Sequence, residues 1–242
     1  SSRRAAGDVA GARSRRQRRK YASSCDIDEL NSLLQDIEEH ANLRGVVIYS
    51  AKEKGFIAGA DVHLFSAFTT SEAAQEFLRK GQVVFSRLEM LSVPTIALIH
   101  GFCMGGGLEL ALACDYRIVT DAPDTKLGLP EVLLGIHPGW GGTVRLPLLI
   151  GGFAALSKVI LTGKALSAKA AKQLGMVDEV VPLRQLKRAA LDYIQRRPAK
   201  HRPGWLAALT NQAWLRPMLA ALMRSQLTKK IQPNHYPAPF AA

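Results

Sequence analysis

Short apolar runs alternate with longer helical patterns through the middle of the chain. Val46–Tyr49, Thr95–Ile99 and Tyr116–Val119 are runs of this kind, rich in β-branched residues and typical of strands buried on both faces. Apolar residues at helical spacing precede and separate them, from 26 to 40 and from 71 to 90. Alternating strands and helices predict an α/β fold with a parallel sheet and right-handed crossovers.

Further elements are predicted on either side of this pattern. GFIAGAD, residues 55–61, ends a strand in a turn of small residues, Ser167 caps a helix over 168–174, and a last short strand covers 177–181. Beyond Pro182 the chain is helical and basic, and we expect its helices to lie across the core or against a neighbouring subunit. The apolar side chains available for that packing are Trp205, Leu206, Trp214, Leu215, Leu219 and Leu222.

A glycine-rich turn and two carboxylates carry the strongest indication of chemistry. The run GFCMGGGLE ends at Glu109, and Glu131 follows 22 residues later in LGLPE. Three glycines before an apolar helix let the backbone approach a ligand, with the first amide groups of the helix pointing outward. Such a turn can hold an oxyanion, and the small-residue turn after residue 55 offers a second backbone donor.

Four segments resemble successive signatures of the crotonase (enoyl-CoA hydratase) family. In order they are GFIAGADV, HGFCMGGGLELALACDYRI, LGLPEVLLGIHPGWGGTVRLP and AKQLGMVDEVV. The resemblance is dense from Asp26 to Val181 and thinner beyond. Within the family, the chain is most similar to the hydratase part of the bifunctional fatty-acid oxidation α-subunits, in which a 3-hydroxyacyl-CoA dehydrogenase follows. The tail HYPAPFA resembles the start of their connecting segment.

The resemblance implies a crotonase-like fold, a ββα superhelix with C-terminal helices, and a lyase that hydrates trans-2-enoyl-CoA thioesters in fatty-acid β-oxidation. Hydration needs an activated water, a proton for the α-carbon and stabilisation of negative charge on the thioester oxygen. By the family's motif, Glu109 and Glu131 hold the water and supply acid and base, while the amides of Ile57 and Gly106 form the oxyanion hole. The residues expected to bind the substrate and its coenzyme A are Ala58, Gly59, Ala60, Asp61, Gly105 and Trp140.

The resemblance also implies the domain limits and partners. We expect a basic segment without regular structure at 1–22, where the usual opening strands of a crotonase are not matched, and a crotonase core at 23–190. C-terminal helices and the start of a linker to an absent dehydrogenase module would occupy 191–242. We expect a homo-oligomer or, in a full-length complex, a thiolase partner. No strand is followed by GxGxxG, so no NAD site and no cofactor is predicted; coenzyme A belongs to the substrate.

Net charge is concentrated at the two ends of the chain. Of the total of +12, residues 1–20 carry +7 and residues 184–242 carry +10, which leaves −5 between them. Basic ends attract coenzyme A phosphates, membrane surfaces or nucleic acid, and charge alone does not choose among them. No apolar stretch reaches the roughly 18 residues of a membrane span, and we expect a cytoplasmic protein.

Two other functions remain open from the sequence. An enoyl-CoA isomerase needs only one carboxylate, and the presence of two favours hydration with isomerisation as a side activity. Some crotonase relatives bind RNA through basic surfaces, but the basic ends here lack interleaved aromatic residues, and we expect no nucleic-acid partner.

Several polar residues are predicted to be structural. Asp115 and Arg117 form a buried polar pair or bind a turn, and the histidines His63, His100 and His137 have no carboxylate or cysteine at a diagnostic spacing. The cysteines, Cys25, Cys103 and Cys114, are too few and too scattered for a disulfide framework or a metal site, so we expect buried thiols.

Overall fold

The computed structural model describes residues 10–12, 24–59, 68 and 70–228, with side chains described between residues 27 and 225. The strands in these ranges are β1 (Ala10–Ala12), β2 (Val46–Tyr49), β3 (Gly55–Ile57), β4 (Thr95–Ile99), β5 (Phe102–Met104), β6 (Tyr116–Thr120), β7 (Lys126–Gly128), β8 (Leu166–Ser167) and β9 (Glu179–Val181). The α-helices are α1 (Ser24–Glu39), α2 (Ser71–Glu89), α3 (Gly106–Ala113), α4 (Gly142–Ile150), α5 (Gly152–Ala155), α6 (Ala168–Gln173), α7 (Leu186–Arg196), α8 (Trp205–Leu209) and α9 (Arg216–Thr228). A π-helical turn, Leu156–Ile160, continues α5, and 3₁₀ turns cover Pro130–Leu134, Leu183–Gln185 and Ala213–Leu215.

The described strands form two sheets. The larger is wholly parallel in the order β1-β2-β4-β6-β9, and its central strands β4 and β6 are buried along their whole length. The smaller has the order β3-β5-β7-β8, with β8 antiparallel to β7. Because β4 is followed within three residues by β5, the chain passes directly from one sheet to the other just before the glycine-rich turn.

The larger sheet agrees closely with the predicted elements. β2 and β4 have the predicted bounds, β6 is one residue longer than predicted, and α2 ends one residue earlier. Ser167 caps α6 as predicted, with its hydroxyl accepting a bond from the amide of Ala170 at 3.3 Å. The chain is therefore an α/β protein with a parallel main sheet and helices at its C-terminus.

The first segment contains one short strand. Residues 1–22 were expected to have no regular structure, yet Ala10–Ala12 pairs in parallel with Val46–Ile48 at the edge of the larger sheet. The segment lacks a recognisable hydrophobic period because a three-residue edge strand is too short to show one. The remaining residues of 1–22 and the linker predicted after residue 228 lie outside the described residues.

The main core encloses α3. Every residue of this helix is buried, and it lies against α4, α2 and the strands β3, β5 and β6. A helix that is apolar on all sides is stable only when other elements surround it, and that is the position α3 occupies. Its one charged residue, Glu109, is carried into the core with it.

The C-terminal helices are less completely packed. Among the apolar residues expected to pack there, Leu219 is buried. Trp205 and Trp214 are 74% and 71% exposed in the single chain. Helix α8 contacts α4 and α5, so this region lies over the helices that follow the glycine-rich turn. No helix in the described part of the chain has the length and apolar character needed to cross a membrane.

Candidate active site

The glycine-rich turn joins β5 to α3 and leaves two backbone donors free of helical bonds. Gly105 has φ 53° and ψ −128°, a conformation that a residue with a side chain rarely adopts, and it caps α3. Its carbonyl accepts the amides of Leu108 and Glu109 at 2.8 and 3.0 Å. The amides of Gly106 and Gly107 are the first in the helix and have no intrahelical acceptor. The helix dipole adds positive potential at the same place.

The end of β3 lies against this turn. A Cβ on Gly107 would lie 2.5 Å from the carbonyl oxygen of Ile57, and a Cβ on Gly105 would lie 3.5 Å from the Cα of Gly59. The two small-residue turns that the sequence placed together are therefore in contact. Only glycine permits this approach, because any side chain at 107 would meet backbone atoms of the strand.

One cavity of about 1140 Å³ connects these turns with both glutamates. Of the predicted site residues that the structure describes, Ile57 alone does not line the cavity. It packs behind the wall against Gly107, and Ala58 is the strand-end residue that reaches the cavity surface. The predicted residues that do line it are Ala58, Gly59, Gly105, Gly106, Glu109, Glu131 and Trp140. Ala60 and Asp61 lie outside the described residues.

Glu109 is buried and held by backbone amides. Its Oε1 accepts the amides of Trp140 and Gly142, each at 2.8 Å, and the residue is 2% exposed. Burial raises the pKa of its carboxyl from the ordinary value of 4.5 to about 6, while the two amide bonds and the charge of Arg145 act in the opposite direction. Glu109 is thus an unusually basic carboxylate that still ionises below neutral pH.

Glu131 is the more basic of the two carboxyls. Burial and the nearby charge of Glu109 raise its pKa to about 8. Its Oε2 atom is buried without a hydrogen-bond partner, whereas its Oε1 would lie 3.0 Å from a Cβ on Gly105. Its own backbone amide lowers the pKa, but burial and the charge of Glu109 outweigh that bond, so Glu131 retains its proton at neutral pH. One site therefore holds one ionised and one protonated carboxyl group.

Trp140 forms the floor between the cavity and the core. It is 3% exposed, and its ring packs against Phe77 and Phe85 at centroid distances of 5.4 and 5.5 Å. A Cβ on Gly106 would lie 2.5 Å from Cζ3 of this ring, so the glycine-rich turn rests on the indole. Trp140 therefore supports the turn with its side chain and Glu109 with its amide.

The residues predicted to be structural lie away from both glutamates, with one exception. Arg117 is buried and pairs with Asp178 at 2.9 Å, and Asp115 pairs with Lys200, so the two side chains do not pair with each other. Arg117 also donates to the carbonyls of Cys114 and Met176, in agreement with the alternative that it binds a turn. His100 contacts the carbonyl of Lys52 at 2.7 Å. The exception is His137, which lines the cavity and has a buried Nδ1 atom without a hydrogen-bond partner.

The remaining predicted groups have simpler outcomes. His63 lies outside the described residues, as does the side chain of Cys25. Cys103 and Cys114 are free and buried, and burial raises the pKa of the Cys114 thiol to about 12. Among the residues that the structure describes, no group of three or more His, Cys, Asp or Glu side chains could hold a metal ion.

Sequence reasoning missed three residues that shape the site. Gly142 supplies an amide to Glu109, Arg145 and Gln82 bond to carbonyls of the same turn, and all three belong to segments whose patterns suggested only a loop or a helix. The GWGG segment carried the one available signal, since glycines on both sides of a large aromatic residue indicate a close backbone approach. The pattern did not indicate which group is approached.

This fold and site define a crotonase-type α/β protein, and comparison with known proteins agrees. The family model described as Enoyl-CoA hydratase/isomerase matches residues 19–230, and the chain belongs to that family. It is similar to a crystal structure of enoyl-CoA hydratase from Bacillus anthracis, with 36% identity, a TM-score of 0.68 and coverage of 78% of this chain and 71% of that one. It is also similar to DspI from Pseudomonas aeruginosa, with 27% identity, a TM-score of 0.72 and coverage of 95% and 81%.

Curated relatives give the narrower likeness. The chain is 45% identical over 218 residues to the fatty acid oxidation complex subunit alpha of Aliivibrio fischeri, which covers 87% of this chain and 31% of the relative. It is 52% identical over 155 residues to the protein of that name from Vibrio parahaemolyticus, covering 64% and 22%. The matched region thus spans about a fifth to a third of the length of these curated relatives.

Proposed function

We propose that this chain is an enoyl-CoA hydratase that adds water across the α,β double bond of trans-2-enoyl-CoA thioesters. The observation that carries the proposal is the pair of buried carboxyls, Glu109 and Glu131, on one cavity wall beside a turn with free amides. The pair supplies the acid and base of hydration, and the turn receives charge on the thioester oxygen.

The unequal environments of the two carboxyls assign their roles. Glu109 is ionised at neutral pH and acts as the base that removes a proton from the attacking water. Glu131 is protonated and delivers its proton to the α-carbon as the β-carbon–oxygen bond forms. After the chemical step Glu109 carries a proton and Glu131 is ionised, so the pair still holds one proton. Release of the proton from Glu109 to solvent and uptake of one by Glu131 restore the starting state. The two groups titrate as one coupled unit.

The oxyanion hole in this proposal consists of two backbone amides. Gly106 supplies one from the start of α3, and the end of β3 supplies the other. We keep the second donor at Ile57, the predicted position, because this residue packs directly against the glycine-rich turn at Gly107. Removal of one such donor costs about 10²- to 10³-fold in rate, so the turn matters as much as the glutamates.

Turnover of a short enoyl thioester tests this function. The protein should consume crotonyl-CoA, with loss of the absorbance of the conjugated thioester. Glu109→Gln and Glu131→Gln should each lower kcat at least about 10²-fold without changing the fold, because each removes one proton-transfer group. Wild-type turnover in either variant would refute its assigned role. Substrates of increasing chain length would then define the acyl preference.

Isomerisation is the second candidate, and the ionised carboxylate of Glu109, which lines the same cavity as the glycine-rich turn, favours it as a side activity. Moving a double bond from the 3- to the 2-position needs one carboxylate to take a proton from the α-carbon and return it to the γ-carbon. A 3-enoyl-CoA substrate distinguishes the reactions. An isomerase alone would convert it to the conjugated thioester and leave crotonyl-CoA unhydrated.

The wider context is also part of the proposal. The relatives named above are subunits of a fatty acid oxidation complex, and we propose that this chain acts in the same degradation of fatty acids in the cytoplasm. Association with further copies or with a thiolase, and catalysis without a cofactor, remain predictions. Sedimentation of the purified protein with and without its candidate partner tests the first, and turnover after exhaustive dialysis against a chelator tests the second.

A further inference from the structure

The turn formed by residues 139–142 determines where the Glu109 carboxyl points. Two of its amides, from Trp140 and Gly142, donate to the same oxygen of Glu109, so any rotation of these peptide planes moves the carboxyl. A peptide group is planar, and its carbonyl points away from its N–H. Whatever holds the carbonyls of this turn therefore also sets the direction of the amides.

Each carbonyl of the turn has its own donor. Gln82 Nε2 donates to Gly139 O at 2.7 Å, and that carbonyl shares a peptide plane with the Trp140 amide. Arg145 Nη1 donates to Trp140 O at 2.9 Å, in the plane between the two donor amides. The third carbonyl, of Gly141, accepts the backbone amide of Arg145 at 2.8 Å as α4 begins. Two side chains and one helix start thus hold the whole turn.

Arg145 is itself fixed on its other side. Its Nε donates to Glu89 Oε2 at 2.9 Å and its Nη2 to Ser86 Oγ at 3.3 Å, both on α2. The arginine side chain is only 10% exposed, whereas that of Glu89 is 53% exposed. A guanidinium group is a planar, rigid fork of donors, so bonds on two of its sides fix its orientation. The ammonium group of a lysine, on its flexible stem, would not be fixed in this way.

We propose that Arg145, together with Gln82, is a positioning residue for Glu109: their side chains fix the 139–142 turn so that its amides aim the carboxylate at the bound water. Neither side chain bonds to Glu109 itself. Arg145 adds a second influence, because its positive charge favours the ionised form of the carboxylate. The inference deepens the proposed hydratase function and rests on it.

The charges around Glu109 define what a pH measurement will report. On α4 Arg145 faces it, with Glu89 of α2 behind the guanidinium; Glu131 faces it from the 3₁₀ turn, and His137 lies on the same cavity wall. The charge of Arg145 lowers the pKa of Glu109, so its loss raises that pKa. A substitution that only loosens the fold admits water to the carboxyl and, because burial is the main cause that raises this pKa, moves it in the opposite direction.

The test is a set of variants assayed for kcat, KM and the acid side of the pH–rate profile. Arg145→Met should lower kcat about 10²-fold, as expected for a displaced catalytic group, with little change in KM. It should also move the acid side of the profile to higher pH. Arg145→Lys should leave that side in place, because the charge remains, but still lower kcat. Gln82→Leu should lower kcat about 10-fold without changing the charge near Glu109.

Arg87→Met is the matched control. Arg87 lies on α2, as Gln82 does. Like Arg145 it joins two helices, here through Glu38 at 2.5 Å and Asn31 at 3.0 Å on α1, but it does not line the cavity. Its loss should affect stability and leave kcat and the pH profile of the folded protein unchanged. Circular dichroism and thermal melting report which variants fold.

Direct titration separates this inference from the hydratase proposal. In Glu131→Gln protein labelled with ¹³C at the glutamate side chains, the pKa of Glu109 should be higher when Arg145 is Met than when it is Arg, whether or not the chain hydrates a thioester. If wild-type protein turns over no enoyl thioester, the proposed function fails while this titration still stands. The inference is overturned if Arg145→Met keeps the wild-type kcat and an unmoved Glu109 titration. If Arg145→Met does not fold, it is overturned when Gln82→Leu and Arg145→Lys both keep the wild-type kcat.

Discussion

Gly105 lies against the carboxyl group of Glu131: a Cβ at this glycine would be 3.0 Å from Glu131 Oε1. The same glycine caps α3 with a positive φ of 53°, so one residue links the helix start to the proton donor. A side chain here would both strain the backbone and displace the carboxyl. The turn and the acid therefore cannot be altered independently.

Replacing Gly105 by Ala should abolish most activity while the chain remains folded. The strained backbone should cost about 1–3 kcal/mol of stability. The displaced Glu131 and the shifted amide of Gly106 should lower kcat at least about 10²-fold, as the loss of an oxyanion-hole donor does. Turnover of crotonyl-CoA and urea unfolding measure the two effects.

Gly204→Ala is the control for the added methyl group. Gly204 has φ −55°, and no atom lies within 4 Å of a Cβ built there. Alanine should be tolerated at this position with unchanged kcat. If Gly105→Ala behaved like Gly204→Ala, the contact with Glu131 would have no bearing on catalysis.

The rate of hydration should be greatest between about pH 6 and about pH 8. Below this range Glu109 takes up a proton and no base is available; above it Glu131 loses its proton and no acid is available. The profile of kcat against pH should therefore be bell-shaped, with its two sides belonging to the coupled pair. A profile that rises steadily to pH 10 would contradict a protonated Glu131 as the acid.

The sequence alone predicted the main sheet except for its edge strand β1, and it predicted the central pairing of turn and carboxylates. β2 and β4 were predictable because strands buried on both faces are continuous apolar runs with little else in their composition. The glycine-rich turn and Glu109 were predictable because they adjoin the second of these strands through only a few residues. Local sequence pattern was sufficient to predict an element where only a short connection joins it to the element before it.

The second sheet and the support of Glu109 were not predictable in this way. β5 and β7 contain three residues each, which is too few for a period-two pattern to be recognised. The bonds from Trp140 and Gly142 to Glu109 join residues more than 30 positions apart, so they depend on how α4 packs against α3. No local signal records that contact, and it is the one that determines which glutamate ionises first.

The contribution of Glu131 to the free energy of unfolding should fall as pH rises, the opposite of a carboxylate whose pKa is lowered by folding. The folded-state pKa of Glu131 is raised from 4.5 to about 8, so between these values the folded state binds more protons than the unfolded state. This contribution is constant below about pH 4.5, is lost as pH rises to about 8, and is constant again above. A shift of this size corresponds to roughly 3–5 kcal/mol.

Comparison of wild type with Glu131→Gln isolates that contribution. The variant cannot ionise at this position, so the difference in unfolding free energy between the two proteins should change with pH in its favour from pH 5 to pH 8. Urea unfolding at several pH values provides the measurement. A constant difference across this range would show that Glu131 titrates normally in the folded protein.

The buried ion pair between Arg117 and Asp178 should matter for stability and not for catalysis. Their side chains are 3% and 8% exposed and lie 2.9 Å apart, outside the cavity wall. Asp178→Asn leaves a buried guanidinium without its counter-charge and should cost about 3 kcal/mol. Asp192→Asn is the matched control, because Asp192 pairs with Arg196 at the surface, where such pairs contribute about 1 kcal/mol or less. Urea unfolding should show a larger loss of stability for Asp178→Asn than for Asp192→Asn, whereas kcat per folded molecule should equal the wild-type value in both. Equal losses of stability would show that the buried pair contributes no more than a surface pair.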